Sequence, residues 1–204
     1  MRVYDAQFAE SLTAAQDGSI APVYFLWIVA RDRETGAEAP IGLWSGDEDI
    51  TITIERPDGG SVSRAYLGAC NLEIDGIQYV ADLTDNPVSA SLSQLAPAAQ
   101  LLVRGRDVRL AYCEIHATTW TGGALTSAPQ LQWIGIVDEG PISTPGAGGE
   151  GGIALSIRSE IMTQLGQVSP AKSSDAHQRR RLSVDRFCEY SGIIGSRSIQ
   201  WYRD

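Results

Sequence analysis

From Asp107 to Thr118 the side chains alternate in character, and a period of two held over that length dictates an extended strand. The alternation sets Val108, Leu110, Tyr112, Glu114 and His116 on one face and Arg109, Ala111, Cys113, Ile115 and Ala117 on the other. Both faces mix apolar with polar groups. That mixture suits a barrel wall or a subunit contact better than a strand over a deep one-sided core.

The same β character recurs along the chain. Val23 to Arg31 contains an apolar run fit for a buried strand, and Ile50 to Glu55 sets isoleucines against threonines. Pro57-Asp58-Gly59-Gly60 is a turn, so Ser61 to Tyr66 returns antiparallel to the preceding strand. An Asp75-Gly76 pair inside Leu72 to Val80 predicts a second hairpin. Pro87 to Leu92, Leu131 to Val137 and Ile153 to Arg158 complete the strands, with Leu131 to Val137 expected beside Asp107 to Thr118. Helical spacing is confined to three places. Tyr4, Phe8, Leu12 and Ala15 share one face before the Asp17-Gly18 stop, Ala96 to Leu102 is entered through Pro97, and Glu160 to Leu165 is short. The expected fold is mainly β with minor helix: an antiparallel barrel or sandwich, tube-like, with an N-terminal helix, a short mid-chain helix and an extended C-terminal arm. The expected divisions are an amphipathic helix over 1–20, the β domain over 21–165 and a basic docking arm over 166–204.

Charge separates the arm from the body. Residues 1–170 carry 9 Lys and Arg against 21 Asp and Glu, whereas residues 171–204 carry 7 against 4. A basic strap beside an acidic body finds its complement on a neighbouring copy. The arm also carries Phe187, Cys188, Tyr190, Ile193, Ile194, Ile199 and Trp201, too much apolar surface to leave in water. The interface residues it predicts are Arg179, Arg180, Arg181, Arg186, Phe187, Tyr190 and Trp201, the guanidinium forks serving as bidentate carboxylate binders.

Chemistry is harder to find. The overall charge of −9 argues against wrapping nucleic acid as the main task. No apolar run reaches membrane-spanning length, and the N-terminus lacks the pattern of a secretory signal, so synthesis and folding in the cytosol are expected. Cys70, Cys113 and Cys188 are too scattered for a disulfide framework or a paired zinc site and are expected as buried thiols. The glycine-rich stretch 146–152 lacks the Gly-Lys-Ser/Thr ending of a phosphate loop. Asp47, Glu48 and Asp49, like Asp138 and Glu139, read as solvated charges at strand ends. Cys113 and His116 are an odd number of residues apart and fall on opposite faces, and His177 reads as an interface hydrogen-bonding group. No catalytic, cofactor-binding or metal-ligating set is assigned, and the chain is not expected to be an enzyme.

The pattern Asp175-x-x-Gln178-Arg179-Arg180, then Asp185-x-Phe187-x-x-Tyr190, closing on Ile199-x-Trp201, resembles tail-tip baseplate proteins of long, non-contractile-tailed bacteriophages and gene transfer agents. The strand–loop–strand layout of Asp107 to Val137 and the strand at Gly152 to Ser159 belong to the same resemblance, which points to the small hub or distal-tail components. It implies a virion structural protein at the tail tip, assembled in the host cytoplasm. Its tube-like β domain would repeat in a homo-oligomeric ring through which DNA passes. For a hub the resemblance implies a trimer matched to a hexameric tube, and for a distal-tail protein a hexamer, with other tail-tip and tail-tube proteins as partners. Some hub relatives hold an iron–sulfur cluster on four cysteines; this chain has three, and no cofactor is carried over. The competing readings are a tail-associated hydrolase, a peptidase or wall-degrading enzyme, working through His116 or His177, and a β-rich binding module of unknown partner.

Overall fold

The computed structural model describes residues 4–78, 86–140, 142–143, 151–160, 174–193, 195–196 and 198. The chain divides into two compact units, Met1–Gln164 and Leu165–Asp204.

The first unit opens with helix α1 (Ala6–Ala14), whose N-cap Asp5 accepts hydrogen bonds from the backbone N–H groups of Gln7 and Phe8. Phe8 is its buried anchor, and Ser11 Oγ lies 2.7 Å from Thr119 Oγ1 on the long strand. The strands follow as β1 (Ala21–Asp32), β2 (Glu38–Trp44), β3 (Ile50–Glu55), β4 (Ser61–Tyr66), β5 (Glu73–Asp75) and β6 (Val88–Ser93). Helix α2 (Pro97–Gln100), with proline in its first turn, runs into a π-helical turn, Leu101–Gly105. Then come β7 (Arg106–Thr121), β8 (Ala124–Leu125), β9 (Gln130–Glu139), β10 (Ile142–Ser143) and β11 (Gly152–Ser159). The fold is mainly β, with antiparallel sheets and few helices.

The main sheet runs β2-β1-β7-β9-β11-β6-β5, with β8 on β7 and β10 on β11. Residues 67–70 bridge β2 and β6. Leu67 N–H donates to Gly42 O at 2.9 Å, and Trp44 N–H donates to Leu67 O at 3.1 Å on the β2 side. On the other side Ser93 N–H, from β6, donates to Cys70 O at 2.9 Å. With that bridge the wall curls around one core in the manner of a barrel. Its interior is filled by Leu26, Ile28, Leu43, Ile115, Leu155 and Ile157, and Leu102 of the π-helical turn packs into the same core. Burying each such side chain stabilises by about 1.5–3 kcal/mol. A barrel filled in this way is a packed core and not a channel.

The hairpin β3–β4 covers the outside of the barrel wall. Ile54 and Tyr66 join Val23, Phe25 and Trp44 in a second apolar cluster, with Phe25 stacked on Trp44 at 5.4 Å between ring centroids. Gly42 permits this approach: a Cβ there would lie 2.5 Å from Ala65 O. Both faces of β7 are therefore covered, one by the barrel interior and the other by the hairpin. That arrangement accounts for its mixed polarity.

Three expectations need correction. Leu72 to Val80 is not a two-residue hairpin in its described part, because β5 pairs with β6 and residues 76–78 carry no strand. Of Asp75 and Gly76 only the glycine has positive φ, whereas a type I′ turn needs two such residues. The alternation in β7 is also broken near its start. Val29 and Arg31 of β1 face Tyr112 and Asp107, so β7 bulges outward through Leu110, at φ 56°. Val108 thereby joins Ala111, Cys113 and Ile115 in the barrel core instead of sharing a face with Tyr112. Finally, the described part of the C-terminal arm is not extended. Helix α3 (Asp175–Arg181) is followed by successive turns, with Asp185 N–H donating to Leu182 O and Glu189 N–H to Arg186 O. The proposed helix beyond Glu160, glycines 146 and 148–149, Ile194, Ile199 and Trp201 lie outside the described residues.

Candidate interaction surfaces

The interface residues expected from the sequence gather in the second unit. Helix α3 begins at Ser174, whose Oγ accepts from His177 N–H at 3.3 Å, and Asp175 stands in its first turn. Arg179 reaches back to Asp175 at 2.8 Å and lies 3.7 Å from Glu189. These contacts, with three arginines at the negative end of the helix dipole, explain a helix where an extended arm was expected. Arg179 is therefore committed locally. Arg180, Arg181 and Arg186 are exposed, and among the described residues no carboxylate pairs with them.

Large apolar side chains stand beside these cations in the sequence. Phe187 is 92% exposed, Tyr190 57% and Val184 75%, and Leu182 and Ile193 are exposed as well. Cys188 is buried between Phe187 and Tyr190 in sequence, so the turns face those two rings outward. An apolar set of this size, with arginines that have no carboxylate partner among the described residues, has the composition of an interface core and its rim. Trp201, the seventh expected interface residue, lies outside the described residues.

A second surface, on the first unit, was not anticipated. The start of β1, the loop 45–49 after β2, and the end of β7 with β8 enclose an open groove of about 810 Å³. Trp44, Trp120, Val23 and Leu125 give it apolar walls, and Asp47, Glu48 and Asp49 line its acidic side. Trp120 is 42% exposed. Trp44 Nε1–H donates to Glu48 O at 2.6 Å, and Asp49 Oδ1 accepts from Gly68 N–H at 3.0 Å, which fixes the loop. No cation pairs with Asp47 or Glu48 among the described residues.

Beneath the hairpin lies a buried ionic cluster. Arg64 Nη1 is 2.6 Å from Glu114 Oε2, the side chains being 14% and 5% exposed, and the guanidinium lies 4.5 Å over the Trp27 ring. Burial works to lower the Arg64 pKa, but the hydrogen bond and charge of Glu114 outweigh it and raise the value. His116 Nε2 sits 2.8 Å from Glu55 O and 3.7 Å from Glu114, with its side chain fully buried. Burial pushes its pKa down to about 4, so it is neutral at pH 7, and donation to the carbonyl places the proton on Nε2. Cys113 packs on the opposite face of β7, where burial pushes its thiol up to about 12. All three cysteines are free and buried.

Among the described residues no group of three or more His, Cys, Asp and Glu could hold a metal ion, and no helix is long and apolar enough to cross a membrane. The signal for the Arg64–Glu114 pair was available in the sequence. Alternation along β4 puts Arg64 on the inward face with Val62 and Tyr66, opposite a strand carrying Glu114 and His116. The groove left no such local signal, because three separate segments build it. No protein-family model matches this chain, and no curated protein matches it.

Proposed function

We propose that this chain is a structural component of a phage tail tip, forming a homo-oligomeric ring as a hub or adaptor at the end of the tail tube, with its C-terminal unit linking it to a neighbour. The observation that carries the proposal is the exposed surface of that unit: Phe187, Tyr190, Val184 and Leu182 are exposed and close in sequence to arginines that pair with no carboxylate among the described residues. Such a face is costly in water and gains when a neighbour covers it. The filled barrel agrees with a wall element, so that DNA would pass through the centre of the ring and not through the barrel. An acidic body suits such a passage, because phosphate binding needs clustered cations. The hydrolase alternative gains nothing from His116, which is sealed from solvent and held against a backbone carbonyl.

Immunogold labelling of intact virions with antibodies to this chain tests the assignment. Label at the distal end of the tail is expected. Label on the capsid, or purified virions free of the chain, would refute it.

A further inference from the structure

We propose that the groove walled by Trp44 and Trp120 is the receptor for the arginine-bearing face of the C-terminal unit of a second copy of this chain. The inference rests on the ring proposed above and names the two surfaces that would meet in it.

Each surface lacks what the other offers. The groove presents Asp47 and Glu48 without cations, and the C-terminal unit presents Arg180, Arg181 and Arg186 without carboxylates, among the described residues. A guanidinium entering the groove finds carboxylates for forked hydrogen bonds and the exposed face of Trp120 for stacking. Leu182 follows Arg181 directly and supplies an apolar side chain for the walls formed by Val23 and Leu125. Residues 1–170 hold 21 acidic against 9 basic groups and residues 171–204 hold 4 against 7, so the wider field of each surface favours the same encounter. A head-to-tail contact of this kind is heterologous. It generates a ring where the rotation closes, with no second interface required.

The test uses the full chain with a photo-cross-linking amino acid in place of Leu125. Isotopically light and heavy copies are mixed at millimolar concentration, irradiated and mapped by mass spectrometry. The expected products join the groove of one copy to peptides spanning 179–190 of the other. Their yield should fall about tenfold in D47N/E48Q and in R180Q/R181Q, a loss in keeping with interfacial charge pairs. D47K/E48K and R180E/R181E chains, each inactive alone, should cross-link when mixed, because one groove and one arginine face remain intact.

Failures separate the two levels of the argument. Cross-links between copies that avoid 174–193, with the chain still oligomeric by light scattering, overturn the groove assignment and leave the ring reading standing. Products formed only within single copies, or no products at all, also overturn the assignment. Virions lacking this chain would sink the tail-tip reading while leaving a groove-mediated self-association measurable in solution.

Discussion

Replacing Arg64 by methionine keeps most of the packing over Trp27 but removes the cation facing Glu114. The carboxylate left behind is the better buried partner, at 5% exposure against 14% for the arginine. Breaking a buried pair costs about 3–5 kcal/mol, chiefly through the uncompensated charge. The low end, about 3 kcal/mol at pH 7, is expected because the His116 imidazole stays 3.7 Å from the carboxylate as a polar neighbour. E114Q strands a guanidinium nearer to solvent and should cost less, about 1–2 kcal/mol. In R64M/E114Q no charge remains, so the double mutant should be more stable than the sum of the single losses predicts, by about 2 kcal/mol. Urea unfolding followed by tryptophan fluorescence measures all four corners of this cycle, with Trp27 reporting from the site itself. Additivity within about 0.5 kcal/mol would refute the buried-pair account, as would an E114Q loss larger than that of R64M.

The remaining predictions concern single positions. Because the folded pKa of His116 is depressed to about 4 from 6.5, the unfolded chain binds more protons between those values, and stability should fall by about 3 kcal/mol as pH drops across that window and hold level above it. Urea midpoints against pH should show that slope in the native chain and lose it in H116N. Gly42→Ala forces a Cβ to within 2.5 Å of Ala65 O and 2.8 Å of the Tyr66 ring, and should lower stability by about 1–3 kcal/mol in thermal unfolding. Leu110→Asn should raise stability by about 0.5–1 kcal/mol, since asparagine tolerates the φ of 56° at this exposed bulge better than leucine does; a loss on denaturant titration would count against strain there.

Local chemistry was legible where the physics is local. The hairpin Ile50 to Tyr66 follows from alternation on each side of Pro57-Asp58-Gly59-Gly60, and α1 follows from the spacing of Tyr4, Phe8 and Leu12. The turn at Asp75-Gly76 misled because a dipeptide states only what a turn permits. The partner of β5 was decided by β6, whose Val88 and Ala90 share the core with Ile74. The bulge at Leu110 was hidden for a related reason: side-chain periodicity assumes unbroken register, and register is settled between strands.

By itself the sequence determined the β-rich class, the central strand pair β7 and β9, and a C-terminal segment combining cations with apolar side chains. Each is a property of contiguous residues, carried by period, turn chemistry or charge. Tertiary structure alone decided that residues 67–70 bridge β2 and β6, that Arg64 meets Glu114 beneath the hairpin, and that Trp44 and Trp120 come to wall one groove. Those outcomes depend on contacts between residues far apart in the chain, which form only when the whole wall closes around its core.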